Sequence, residues 1–324
     1  MPFVLIQPPS PQGLHLADGQ QPFEQNSMDE RQEFEKLREL AVDLPEYLAC
    51  GDFWALACLR ARKYDIARAL ELLQSFDLWR KRLQLLERNF HTDDELRVLI
   101  ERGVVEPTGQ RDRVGHYILV LRMARADPKR FTPDDAIRNI YAALEYLYRR
   151  YPEAQSAGVA VLVDQRGASM KNMDTAVPRV LFKALANHMP CRFGGLYAVD
   201  PPLFMRMLLP VAKLLLKRKL RDRLHILRNV EELATHFEPS ELLTDFGGSR
   251  ASEHDIYVEC VAGLQGREPY QQADDTGDNS GKNDPASDGD SVASCAASEP
   301  NAAGEVEEDS SCALAAATAT VSLV

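Results

Sequence analysis

The residues able to do chemistry in this 324-residue chain are scattered, and each group falls short of a working constellation. The stretch "DFGG", Asp245 to Gly248, contains the tripeptide with which protein kinases hold magnesium. No Gly-rich loop, V-A-I-K or H-R-D-type segment precedes it, so a turn with paired glycines is the better reading. Gly194 and Gly195 are a lone pair, far from a dinucleotide fingerprint, and there is no P-loop or G-x-S-x-G elbow. The seven histidines make no H-x-x-x-H spacing and no His/Cys cluster, which argues against zinc. Cys191 has Arg192 beside it, a cation that would lower a thiol pKa, but no nearby His or Asp completes a nucleophile. The pattern therefore predicts a binding protein rather than an enzyme, without catalytic residues, cofactor or metal.

The constellation that remains is "LLPVAKLLLKRKLRDRLHIL", Leu208 to Leu227. Its apolar part begins upstream at Leu203, and six basic residues follow between Lys213 and Arg223. As a helix, residues 203–216 would be about 21 Å long at ~1.5 Å per residue, short of a ~30 Å hydrocarbon core. A membrane span is thereby excluded, and no other window supplies one. Nucleic-acid binding is disfavoured because the basic run carries no aromatics for base stacking. Charge partition points the same way. Residues 265–324 hold 12 acidic and 2 basic residues, a net of −10 out of −11 for the chain, which leaves −1 for residues 1–264. The body is near neutral, yet a local basic patch on it can still meet anionic lipid at close range.

These groups need elements to position them. Residues 1–27 are rich in Pro and Gln without periodicity and read as disordered, with no basic region of a signal peptide. From 29 to 90 the pattern is helical, with Asp52 and Asp65 as helix caps. Beyond, apolar runs at 115–123, 157–167, 194–200 and 222–228 read as strands. Helical patterns at 133–151, 174–189 and 201–216 separate them, the first opened by Thr132 and Pro133, and another helical stretch precedes "DFGG". Strands joined through helices imply crossovers and a mainly parallel sheet. The expected fold is α/β: a mainly parallel sheet flanked by helices over 93–264, after a small all-helical subdomain. Residues 265–324 read as an acidic disordered tail able to recruit a protein partner. Six cysteines without a C-x-x-C pair suggest reduced thiols inside a cell.

Four segments, in this order and spacing, resemble the CRAL-TRIO lipid-binding family. "CLRARKYDIARALELLQSFDLWRKR" (58–82) is similar to its N-terminal helical signature, and "AGVAVLVDQRGASM" (157–170) to its central strand ending in D-x-x-G. "GGLYAVDPPLFMRMLLPVAKLLLKRKLRDRLHIL" (194–227) resembles its strand, mobile gate helix and next strand, and "HFEPSELLTDFGG" (236–248) its closing segment. The resemblance implies an apolar pocket holding one hydrophobic lipid, closed by a gate helix that swings out at a membrane. In it Leu203, Phe204, Met207, Leu208, Val211, Leu214 and Leu215 would form the pocket side of the gate, and Pro210 would help it kink. Basic residues near the pocket mouth meet phosphoinositide phosphates in one branch of the family. Arg192, Lys217, Lys219, Arg221 and Arg223 stand at or near those places here. The implied function is binding and transfer of a lipid between membranes by a cytoplasmic protein that touches anionic membrane surfaces transiently. The alternative is a membrane-docked signalling adaptor that uses the same module without exchanging lipid.

Overall fold

A computed structural model of the protein describes residues 28–85, 87–172, 174, 176–203, 206 and 221–264. The expected disorder at 1–27 and 265–324 and nearly all of the expected gate helix lie outside these residues. The chain begins with three helices, α1 (Met28–Ala41), α2 (Pro45–Ala61) and α3 (Ile66–Leu83). Asp65 caps α3 as expected, its carboxylate accepting from Arg68 N at 3.1 Å. Asp52 lies inside α2 instead, directly after Gly51, whose φ of 69° breaks the helix into two pieces.

The remainder runs α4 (Asp94–Glu101), β1 (Val105–Arg111), β2 (Tyr117–Arg122), α5 (Pro133–Arg150), α6 (Ala154–Ala157) and β3 (Val159–Asp164). It continues with α7 (Ala176–Asn187), β4 (Phe193–Val199), β5 (Leu224–Leu227) and α8 (His254–Leu264). The strands form one five-stranded sheet in the order β1-β2-β3-β4-β5. β1 is antiparallel to β2, and the other neighbours are parallel, so this is the expected α/β sheet with one antiparallel edge. α5 makes the crossover from β2 to β3 and α7 that from β3 to β4. Thr132 starts α5 with a capping box shared with Asp135, and Pro133 follows where its missing N–H costs nothing.

Because neighbouring side chains along a strand point to opposite faces, the sheet has two different covers. Tyr117, Leu119 and Val159 face the helices, in one core with α5 and the N-terminal block. Ile118, Val120, Ala160, Leu162, Tyr197 and Val199 face the other way, onto Leu233, Phe237, Leu242, Leu243 and Phe246. That second cover corrects the sequence reading. In place of a helix before "DFGG", it consists of 3-10 turns at 231–235, 239–241 and 244–246. Glu238, Leu242 and Leu243 are extended between them, and Pro239 removes a helical donor. The glycines then close the strap, with φ of 78° at Gly247 and Gly248 N donating to Leu243 O at 3.1 Å.

Candidate functional site

A cavity lies between the helix-facing side of the sheet and the crossover helices. Its floor is Leu119 and Leu121 of β2, Val159 and Val161 of β3, and Phe193 of β4. Ile140 and Leu144 of α5 and Leu181 and Leu185 of α7 form the walls, with Met189 and Cys191 beyond α7. The wall residues follow from helical spacing, since 140 and 144, like 181 and 185, are four apart and share a face. The volume is about 20 Å³, room for a single water. Every lining side chain is apolar except the Cys191 thiol, and burial pushes that thiol up to about 11, only partly offset by its hydrogen bond with Tyr148. Arg192 does not activate it. Burial thus keeps the Cys191 thiol neutral at physiological pH, and the other described lining side chains carry no ionisable group.

Of the basic residues expected at a pocket mouth, the described ones, Arg192, Arg221 and Arg223, lie around one end of the sheet. Arg192 Nη1 donates to Ser156 O at 2.7 Å, next to the start of β3. Arg223 Nη1 donates to Phe193 O at 2.6 Å, which ties the start of β5 to a cavity-floor residue. Gly195 lies beside the same residue: a Cβ there would stand 3.1 Å from the Arg223 backbone O, a tight contact between β4 and the start of β5. Arg221 is half-buried at the entry to β5, and Lys217 and Lys219 lie outside the described residues. Of the gate residues only Leu203 is described, at 76 % exposure, whereas Phe204, Met207, Leu208, Val211, Leu214 and Leu215 lie outside the described residues. Arg206 holds the start of that segment through Pro201 O at 2.7 Å, Arg228 O at 3.0 Å and the Asp200 carboxylate.

Two polar clusters brace the cavity. At the first, Arg60 of the "LRAR" signature is 1 % exposed and grips Glu30 through Nε at 2.8 Å and Nη2 at 2.9 Å. Its Nη1 reaches Gln155 Oε1 at 3.0 Å, and Tyr64 OH donates to Glu30 at 3.0 Å. Burial pushes the Glu30 carboxyl up, but Arg60 and Tyr64 outweigh it and leave the group below its usual range. This pair joins the N-terminal helices to the residues just before β3. The second cluster lies across the strand ends. Arg122 donates to Glu106 Oε2 at 2.8 Å and to Asp245 Oδ2 at 2.5 Å, while Arg166 grips Asp164 through two bonds of 2.9 Å. Both guanidinium groups flank the Phe246 ring, so the strap is pinned by the D-x-x-G strand end. Sequence reasoning missed Arg122 and Glu106, and the only local signal was a charge at each end of an apolar run.

Among the described residues no group of His, Cys, Asp or Glu is placed to hold a metal, and no helix is long and apolar enough to cross a membrane. The CRAL/TRIO domain model matches residues 101–248, from the end of α4 to the paired glycines. Clavesin-1 of Rattus norvegicus is 32 % identical over 228 residues, covering 67 % of this chain and 63 % of that protein. Clavesin-1 of Xenopus laevis is 30 % identical over 228 residues, covering 67 % and 68 %. Clavesin-2 of Homo sapiens is 29 % identical over 224 residues, with the same two coverages. The chain thus spans less than two thirds of the length of the rat relative. With an apolar cavity on the sheet, the strap closed by "DFGG" and these matches together, the chain belongs to the CRAL-TRIO lipid-binding family.

Proposed function

We propose that the protein binds one hydrophobic lipid on the α5/α7 face of its sheet and transfers it between membranes, with no chemical step. The observation that carries this is the cavity, which is built from five elements and whose described lining is apolar apart from the Cys191 thiol. At ~0.8 kcal/mol per CH₂, an acyl or isoprenoid chain gains roughly 10 kcal/mol on leaving water for such a lining, before ordering costs. A drug-sized or lipid ligand needs about 300–1,000 Å³, so a cavity of about 20 Å³ must widen by displacement of its walls. The gate segment 203–216 is the natural part to move, since its apolar side chains would exchange the protein for the bilayer and make opening cheap only at a membrane. Arg192, Lys217, Lys219, Arg221 and Arg223 would then contact phosphoinositide or other anionic headgroups, at about 1 kcal/mol each. The protein works in the cytoplasm and touches membranes peripherally.

The small cavity volume also favours a second reading, the membrane-docked adaptor that never exchanges lipid. Vesicle-to-vesicle transfer of labelled lipid separates the two. Transfer by the full chain, abolished in Phe204→Asp with vesicle binding reduced and the fold retained, supports the carrier. Vesicle binding without any transfer supports the adaptor.

A further inference from the structure

A second concavity opens on the outer side of α7, where α7 meets α3. It is a groove of about 420 Å³. Its floor is Trp79, 7 % exposed, whose ring lies flat on His188 with centroids 4.5 Å apart. Ser75 Oγ holds His188 Nδ1 at 2.6 Å, so the floor is fixed, and Leu78 beside it is 68 % exposed. The rim is cationic. Arg82 stacks over Trp79 at 4.8 Å and is half neutralised by Asp134 at 3.1 Å. Lys183 is exposed and makes no ion pair with a described residue. Burial and Lys183 push His188 down, so it is neutral at physiological pH and leaves the charge to Lys183 and Arg82.

We propose that this groove is the docking site of the chain's own acidic C-terminal segment, residues 265–324. Charge complementarity selects the occupant, because that segment carries 12 acidic against 2 basic residues. Its order of residues also matches the groove: Glu305, Glu307, Glu308 and Asp309 precede the Ala-rich, largely apolar stretch from Ala313 to Val324 by three residues. Carboxylates on Lys183 and Arg82 would thus bring an apolar run against Trp79 and Leu78, an anchor pair of the kind that dominates interface energetics. Reach is sufficient. The end of α8 sits beside the connection that follows α3, with His91 Nε2 at 2.6 Å from Ala262 O. From Leu264, a coil of some forty residues has a root-mean-square span of about 35 Å.

The inference does not depend on the lipid reading, and lipid enters its test only as a competing occupant. Full-length protein is treated with a carbodiimide that joins amines directly to neighbouring carboxylates, and the crosslinked peptides are identified by mass spectrometry. Lys183 should couple to carboxylates of 265–324 within one chain about fivefold more than the exposed Lys63, Lys129 and Lys171, the excess that one or two surface ion pairs provide. Reversing Glu305, Glu307, Glu308 and Asp309 to Lys should abolish that excess. Adding Lys183→Glu to the reversed segment should restore coupling with the two partners exchanged. Equal coupling at all four lysines overturns the proposal. So does coupling only between isotopically distinguishable copies, which would make the occupant a second molecule, or shielding of Lys183 only by phosphatidylserine vesicles, which would make it a membrane.

Discussion

The two faces of the sheet are built from the same strands and closed in different ways. On the strap face, Leu162, Val199 and Tyr197 form one buried cluster with Phe237, Leu243 and Phe246, and Arg122 and Arg166 lock the edge. On the helix face, Leu119, Val161 and Leu144 border a cavity, and among the described lining residues the side-chain hydrogen bond is that of Cys191, beyond α7, with Tyr148. The strap carries its polar lock at the sheet edge, whereas the cavity lining is apolar and the Arg60–Glu30 lock of the helical side is not part of it. The proposed carrier would use the strap as the cover that stays and the cavity wall as the cover that moves. Dispersion contacts are non-directional and can re-form around a ligand, whereas a buried guanidinium cannot shift without leaving a carboxylate exposed to apolar surroundings.

The largest expected effect breaks the lock. Arg122→Ala leaves Glu106, 1 % exposed, without its cation and should cost about 3–5 kcal/mol in urea unfolding. A loss under ~1 kcal/mol would mean that the strap holds by apolar contact alone. The next compares the faces at matched residues. Leu144 and Leu162 are each 1 % exposed, the first beside the cavity and the second under the strap. Leu162→Ala should cost roughly 2–5 kcal/mol, and Leu144→Ala about 1 kcal/mol less, because atoms bordering a void have already lost partners. Equal costs would remove the asymmetry.

A smaller effect concerns acid. Asp112, between β1 and β2 near the strap, accepts from His116 Nδ1 at 2.9 Å and Tyr197 OH at 2.8 Å. Burial raises its carboxyl pKa, but these bonds outweigh it and hold the group below its usual value. A depressed folded pKa gives stability that is present above the unfolded value, ~3.9, and lost as pH falls through the folded one. Asp112→Asn should therefore lower stability at pH 6 while flattening its decline below about pH 4. A decline as steep as in the parent would assign acid lability to Glu30 instead, whose depressed pKa has the same sign. The smallest effect is at Cys191. With its thiol pushed up to about 11, alkylation at pH 7.5 should be slower than at an ordinary free cysteine, and a fast reaction would contradict a closed apolar cavity.

Legibility followed the locality of the signal. β3 was readable because "VAVLV" is a β-branched run buried on both faces, and α5 because Thr132, Pro133 and an apolar stripe agree. β1 was not, since "VEPTGQR" carries Pro107, Gly109 and polar side chains that suit an edge strand yet look like a loop. Buried Glu106 makes sense only once Arg122 is in place beside it. α4 was missed as well, at eight residues too short to show a period. The strap's leucines fall near helical spacing and so suggest a helix, which Pro239 and the extended residues break. The cavity floor could not be found from any one segment, because it gathers side chains from three strands that meet only through the sheet register. Arg60 sat in a recognisable signature, but its role as a tie between subdomains needed Glu30, thirty residues away.

The central claim is that the helix face of the sheet opens to admit one apolar lipid. Native mass spectrometry of the full-length protein purified from its own cells, beside a Leu144→Trp variant that fills the cavity, tests it most directly. The account expects a single bound lipid on the parent, released on denaturation, and its loss from a variant that remains folded. A parent without lipid after exposure to membranes, or a variant that still carries it, would contradict the claim.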